Sequence, residues 1–174
     1  MAISKYQNSF TLLELLIVAS FIILFTGFSI GYYNQFTEQK KLENAGQKMR
    51  STLDLSRSRT LSGDSSGCGG TNAKVESYAM EITESSSYAI VPHCIIGTPS
   101  PMVYRNEVNV IFPNVPITVS FFPITGGADC QYIYIKNTVL NGGNGSCRYI
   151  KVSSTGLTSE DSCETCDLCP NTCP

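Results

Sequence analysis

Residues Asn8 to Ser20 read NSFTLLELLIVAS, and this stretch decides how the rest of the chain is read. Apolar side chains continue through FIILFTGFSIGYY, so that from Phe10 to Tyr33 the only ionisable group besides the terminal tyrosines is one carboxylate, Glu14. As an α-helix this run of 24 residues extends about 36 Å, more than the roughly 30 Å hydrocarbon core of a bilayer. It therefore predicts a membrane-spanning helix. It is too long for the apolar region of a secretory signal, about 7 to 15 residues, and no A-x-A-like site follows it. An ionised carboxylate at the centre of a membrane helix costs at least about 2.5 kcal/mol, so Glu14 requires compensation. Protonation, or reach to the near interface, would supply it locally. A cation from another chain would supply it by pairing in low dielectric. Gly27 and Gly31 form a GxxxG, which reads equally as a close-packing face for a second helix or as glycine tolerated in a membrane segment.

Outward from this run, the 174-residue chain predicts one modest globular domain, because the remainder is polar, glycine-rich and β-branched. Between Gln35 and Leu61 there is no proline, and Leu42, Ala45, Met49, Leu53 and Thr60 fall at helical spacings. That stripe predicts an amphipathic continuation of the same helix, packed on a sheet. The breaker run SGDSSGCGGTN, Ser62 to Asn72, ends it. Short strands are expected at Ser77 to Ile82, Ser87 to Pro92, Val108 to Phe112, Ile117 to Phe122, Tyr132 to Lys136 and Arg148 to Ser153. Alternation is clearest in QYIYIKN and CRYIKVS, joined by the loop NGGNGS. The fold class expected is α+β: a long N-terminal helix, half membrane-spanning and half amphipathic, on an antiparallel β-sheet domain.

The formal charge of −2 gives no electrostatic case for a polyanion, and Lys40, Lys41, Lys48, Arg50, Arg57 and Arg59 are interspersed with Glu38, Glu43 and Asp54. Such a mixture reads as a solvated helix face, with no nucleic-acid partner expected. His93 is the single histidine and lies at a strand end. TGGAD and GGNG lack the lysine and the strand-to-helix setting of a phosphate loop, so they read as turns. No catalytic constellation is present, and a non-enzymatic chain without a cofactor is expected.

Eight cysteines remain: Cys68, Cys94, Cys130, Cys147, Cys163, Cys166, Cys169 and Cys173. An even count behind a membrane segment favours disulfides formed outside the cytoplasm, in any of 105 pairings. Chain order suggests Cys68 with Cys94 and Cys130 with Cys147. The tail CETCDLCPNTCP also fits C-x2-C-x2-C-x3-C-P, a run that holds iron–sulfur clusters, and four thiolates can close a zinc site. The scattered remaining cysteines do not form the second cluster set that such a run accompanies.

The pattern SFTLLELLIVASFIIL resembles the class III leader and first helix of type IV pilins and of the pseudopilins of type II secretion systems. The resemblance implies cleavage by prepilin peptidase between Ser9 and Phe10, N-methylation of Phe10, and pairing of Glu14 with the amino-terminal ammonium of a neighbouring subunit. The family's usual residue before the cut is glycine; here the small Ser9 stands there. LDLSRSRTL (Leu53 to Leu61), and ITVSFFPITGGA followed by RYIKVSSTGL, resemble segments of H-type minor pseudopilins and their FimT-like pilus relatives. The function implied by the resemblance is that of a structural subunit, a minor pilin or pseudopilin, of a type IV pilus-like or type II secretion filament. Its partners would be other such subunits, prepilin peptidase and the membrane. It would cross the cytoplasmic membrane once, with the C-terminal domain outside, before joining a periplasmic or extracellular filament. The alternative is a membrane-anchored pilus-tip protein that captures DNA or a surface ligand; Glu160, Asp161, Glu164 and Asp167, with no lysine or arginine after Ser159, weigh against DNA. The expected organisation is a leader over 1–9, a transmembrane half-helix over 10–33, an amphipathic half over 34–61, an antiparallel β domain over 62–158 and a cysteine-rich tail over 159–174.

Overall fold

The computed structural model describes residues 11–140, 145–163 and 165–173, and the side chains of these apart from residues 28–31. Among the described residues one α-helix, α1 (Leu12–Ser62), precedes eight strands: β1 (Cys68–Glu84), β2 (Ser87–Pro99), β3 (Met102–Arg105), β4 (Val110–Ile111), β5 (Ile117–Ser120), β6 (Gln131–Asn137), β7 (Cys147–Val152) and β8 (Thr158–Cys163). The chain divides into two compact units, one ending at Thr37 and one beginning at Glu38. In the first unit, Ser20, Thr26 and Thr37 donate their hydroxyls to the carbonyls of Leu16, Ile22 and Tyr33. These three hydroxyls are thus satisfied within the helix itself.

The second unit is α+β, as the sequence leads one to expect, with its strands in two antiparallel sheets of order β3-β2-β1-β5 and β4-β6-β7-β8. Leu42, Ala45, Met49, Leu53 and Thr60 are all buried, which bears out the amphipathic stripe. The four apolar members of that stripe share one core with Met80, Ile82 and Tyr88 of the first sheet and Ile133, Ile135, Ile150 and Val152 of the second. Each such large aliphatic side chain contributes about 1.5–3 kcal/mol on full burial. Small hydroxyls complete the buried helix face: Ser56 and Thr60 donate to the carbonyls of Thr52 and Ser56, and Thr60 Oγ1 accepts from the Tyr78 amide at 3.0 Å. Helix and sheet can therefore approach closely without leaving a strand amide unpaired.

The breaker run does end α1, but β1 begins within it, at Cys68. Asp64 caps a 3-10 turn, Ser65–Gly67, by accepting from the Ser66 amide, and that bond is the main reason its carboxyl lies below its ordinary value. Fully buried Tyr78 donates to the Asp64 carbonyl at 2.6 Å and accepts from the Gly67 amide at 3.2 Å. A Cβ on Gly67 would meet this hydroxyl at 2.8 Å, so a side chain there would displace the phenol that anchors the turn. After β5 the chain makes a tight loop in which Ile124 has φ +76° and is almost wholly exposed. A β-branched residue in that region is strained.

Two strands, β3 and β8, lie outside those expected from the sequence. β3 (MVYR) is flanked by prolines and a polar turn, and β8 (TSEDSC) has no apolar alternation to reveal it. β8 falls in the segment read as a tail and pairs along its whole length with β7, from Val152↔Thr158 to Cys147↔Cys163.

Candidate functional site

Two regions carry the residues singled out in the sequence: the start of α1 and the cysteine-rich C-terminus. At the first, Glu14 sits in the opening turn of α1, and its amide donates to Thr11 Oγ1 at 3.3 Å. Thr11-Leu12-Leu13-Glu14 is the T-x-x-E spacing of a capping box, in which the threonine satisfies a helix-end amide and the acid stands near the positive end of the helix dipole. The spacing is visible in the sequence, yet reading Glu14 only as a membrane charge passes over it. The position of Glu14 in the first turn thus favours an acid locally, beside the intermolecular pairing that the resemblance implies. Ser9 and Phe10 lie outside the described residues.

The described side chains from Leu12 to Gly27 are exposed. Leu12, Leu13, Leu15, Leu16, Phe21 and Phe25 are among a continuous set of exposed large apolar side chains. The most apolar 18-residue window has a mean hydropathy of 2.3, and none of it is buried by the chain. By length and composition, α1 can cross a membrane. A Cβ on Gly27 would meet nothing within 4 Å, so glycine there leaves open space on the helix surface; Gly31 lies outside the described side chains.

The second region is built on the outer face of the second sheet. Residues opposite one another in antiparallel strands share a face. The register pairs Tyr132↔Lys151, Tyr134↔Tyr149 and Lys136↔Cys147 across β6 and β7, and Cys147↔Cys163 across β7 and β8. Three tyrosines and two cysteines therefore line the face opposite Ile133, Ile135 and Ile150. Tyr132 lies parallel to Tyr134 with ring centroids 6.5 Å apart and tilted to Tyr149 at 5.7 Å. The segment after β8 folds back over them through a 3-10 turn, Cys166–Leu168. Tyr134 donates to the Pro170 carbonyl at 2.6 Å, and Tyr134, Cys147 and Cys169 form a second, separate buried cluster. Burial, followed by the neighbouring Tyr132 and Tyr149 rings, raises the Tyr134 phenol above its ordinary pKa.

All eight cysteines are in bridges: Cys68–Cys94, Cys130–Cys173, Cys147–Cys166 and Cys163–Cys169. The first is the pairing suggested by chain order. The suggested Cys130–Cys147 bridge does not form, and the hairpin explains why. Cys147 lies opposite Lys136, whereas Gln131, next to Cys130, lies opposite Val152 at the other end of the same strand pair. The two thiols are separated by about the length of β7, near 17 Å at 3.4 Å per residue, far beyond the roughly 7 Å Cα limit for a bridge. The ferredoxin-like run is divided among three bridges, so in this oxidised state none of its sulfurs is a free thiolate.

Arg57, Arg59, Lys40 and Lys41 each have a partner within the chain. Arg57 donates through Nε to the Gly126 carbonyl at 2.9 Å, which fixes the strained loop after β5 against α1. Arg59 reaches Asp64 at 3.7 Å and lies over the Tyr78 ring. Lys40 and Lys41 each pair with an acid three residues away, Glu43 and Glu38. His93 is exposed on β2, opposite Ser77. Comparison with protein-family models, with characterised proteins and with solved structures finds no match to this chain.

Proposed function

We propose that this chain is a structural subunit of a type IV pilus-like or type II secretion filament, a minor pilin or pseudopilin, cut between Ser9 and Phe10 and assembled through α1. One observation carries the proposal: the chain leaves a membrane-length apolar helix uncovered, with a single carboxylate at its beginning. Bilayer lipid satisfies the apolar side chains but not the acid. A bundle of like helices satisfies both, because each can bring an amino-terminal ammonium to a neighbour's Glu14. Supporting features are the pilin-like pattern around Phe10 and four bridges that suit an oxidising compartment. The disulfide-stapled domain is then the part displayed outside the membrane.

Glu14 variants test this and separate the two roles of the acid. Gln at position 14 keeps the size and hydrogen-bonding capacity that a capping box uses but removes the charge; Ala removes both. Cells producing each variant should retain the chain in the membrane fraction. Incorporation into filaments, measured by cross-linking to neighbouring subunits, should fall by about tenfold or more for both Glu14→Gln and Glu14→Ala, since losing one member of a desolvated charge pair costs about 2–5 kcal/mol. If Glu14→Gln assembles like the wild type, the acid serves the helix end and the pairing is wrong.

A further inference from the structure

We propose that the reduced chain binds one zinc-class divalent cation in a four-thiolate site made by Cys147, Cys163, Cys166 and Cys169. The same four sulfurs then have two closed states, a pair of disulfides or a metal tetrathiolate. The inference does not depend on the filament reading.

Geometry is its basis. The sulfurs of Cys147, Cys163 and Cys169 all lie within 4.8 Å of one another, although they belong to two different bridges. Cys169 Sγ stands 4.0 Å from Cys147 Sγ. Cys166 is bonded to Cys147 and so belongs to the same knot. With zinc–sulfur bonds of about 2.3 Å, the edge of a tetrahedral four-sulfur site is about 3.8 Å. The separation of Cys169 from Cys147, across the two bridges, is already close to that edge. Once the bridges open, each bonded pair parts from bonding distance toward the same edge, and Cys166, released from Cys147, supplies the fourth corner.

The scaffold holds these positions by means other than the two bridges. Cys147 and Cys163 face each other on a rung of β7 and β8. Cys166 and Cys169 bracket the 3-10 turn, where the Cys169 amide donates to the Cys166 carbonyl. The Tyr134 hydroxyl, bonded to the Pro170 carbonyl, ties down the chain that follows. Two ligands thus come from a strand pair and two from a turn with a two-residue spacing, an arrangement that suits tetrahedral zinc. Cys147 and Cys169 are buried among tyrosines, an environment in which closely spaced thiolates repel unless a cation neutralises them. Lys136, opposite Cys147, lines a cleft with Cys166 and adds positive charge beside a site of net negative charge.

The chemistry balances with a phosphine as reductant. Each disulfide takes up two electrons and two protons to give two thiols, while the phosphine becomes its oxide with oxygen from water. One divalent cation then displaces four thiol protons.

The test uses the full chain in detergent micelles, treated anaerobically with phosphine and titrated with Zn²⁺ and, as a spectroscopic probe, Co²⁺. One ion per chain should bind, with the charge-transfer and ligand-field bands of tetrahedral cobalt bonded to four sulfurs. Release of about four protons per ion should accompany binding. Cys163→Ser should shift those bands to a three-sulfur pattern and weaken binding by at least about tenfold. Replacing Cys68, Cys94, Cys130 and Cys173 together by serine should leave stoichiometry and spectrum unchanged, and the untreated, oxidised chain should bind no ion. The proposal is overturned if the reduced chain takes up no stoichiometric metal, whether folded or unfolded, or if Cys163→Ser and Cys166→Ser bind as the parent does.

Discussion

Asn137 shows how much a single buried amide can hold in this fold. It is fully buried; its Oδ1 accepts from the Val139 and Leu140 amides, while its Nδ2 donates to the carbonyl and carboxylate of Glu38. The loop after β6 and the start of the globular part of α1 are therefore joined through one side chain. Asn137→Ala leaves those amides without their acceptor and should destabilise the domain by about 1–3 kcal/mol in chemical denaturation. The same bond is the largest cause, ahead of Lys41, of the Glu38 carboxyl lying below its ordinary value of 4.5. A carboxyl depressed in the folded state contributes stability that is present above its unfolded pKa and lost as pH falls through the folded one. Wild-type stability should therefore decline below about pH 4.5, and Asn137→Ala should flatten that decline. An equally steep decline in the variant would show that Glu38 does not couple to Asn137. Neither partner is prominent in the sequence: Asn137 reads as the polar residue ending QYIYIKN, and nothing in that position announces an amide directed at a residue 99 positions earlier. Glu14 is the converse case, since both its oddity and its T-x-x-E spacing stand in the sequence.

At the scale of elements, legibility follows apolar periodicity. The α1 stripe from Leu42 to Thr60 and the alternations in β6 and β7 are readable because burial repeats at 3.6 or 2 residues. β8 is not readable, because what holds it is long-range: its pairing with β7, and Glu160. Glu160 bonds Arg148 at 2.7 Å and places its carboxylate against the helix at Gly46, where a Cβ would overlap it. The misplaced Cys130–Cys147 pairing could have been avoided from the sequence itself, since a hairpin of QYIYIKN and CRYIKVS already sends those two cysteines to opposite ends. A double-mutant cycle tests the Gly46 contact. Gly46→Ala should stabilise α1 by about 1 kcal/mol, the usual helix-propensity gain, in a Glu160→Ala background, and by clearly less in the wild type, where it must displace Glu160. Equal effects in the two backgrounds would mean that edge strand and helix are uncoupled there.

For the whole molecule, a membrane-length helix precedes a domain whose burial is supplemented by four crosslinks, and the bridges differ in the chain they close. Cys130–Cys173 spans 43 residues and Cys163–Cys169 only six. In the chain-entropy account these correspond to about 4 and about 2 kcal/mol. The Cys130→Ser/Cys173→Ser chain should therefore unfold at lower urea than Cys163→Ser/Cys169→Ser; the reverse order would place the stabilisation in the sheet-face knot rather than in loop closure. The filament proposal concerns the other end of the molecule, where Ser9 and Phe10 decide whether a free ammonium exists for Glu14 to meet. Mass spectrometry of the amino-terminal peptide, taken from chain purified out of its own membranes, is the most direct measurement. The account predicts a mature chain beginning with N-methylated Phe10 and lacking Met1 to Ser9. A chain that retains Met1 to Ser9 would contradict it.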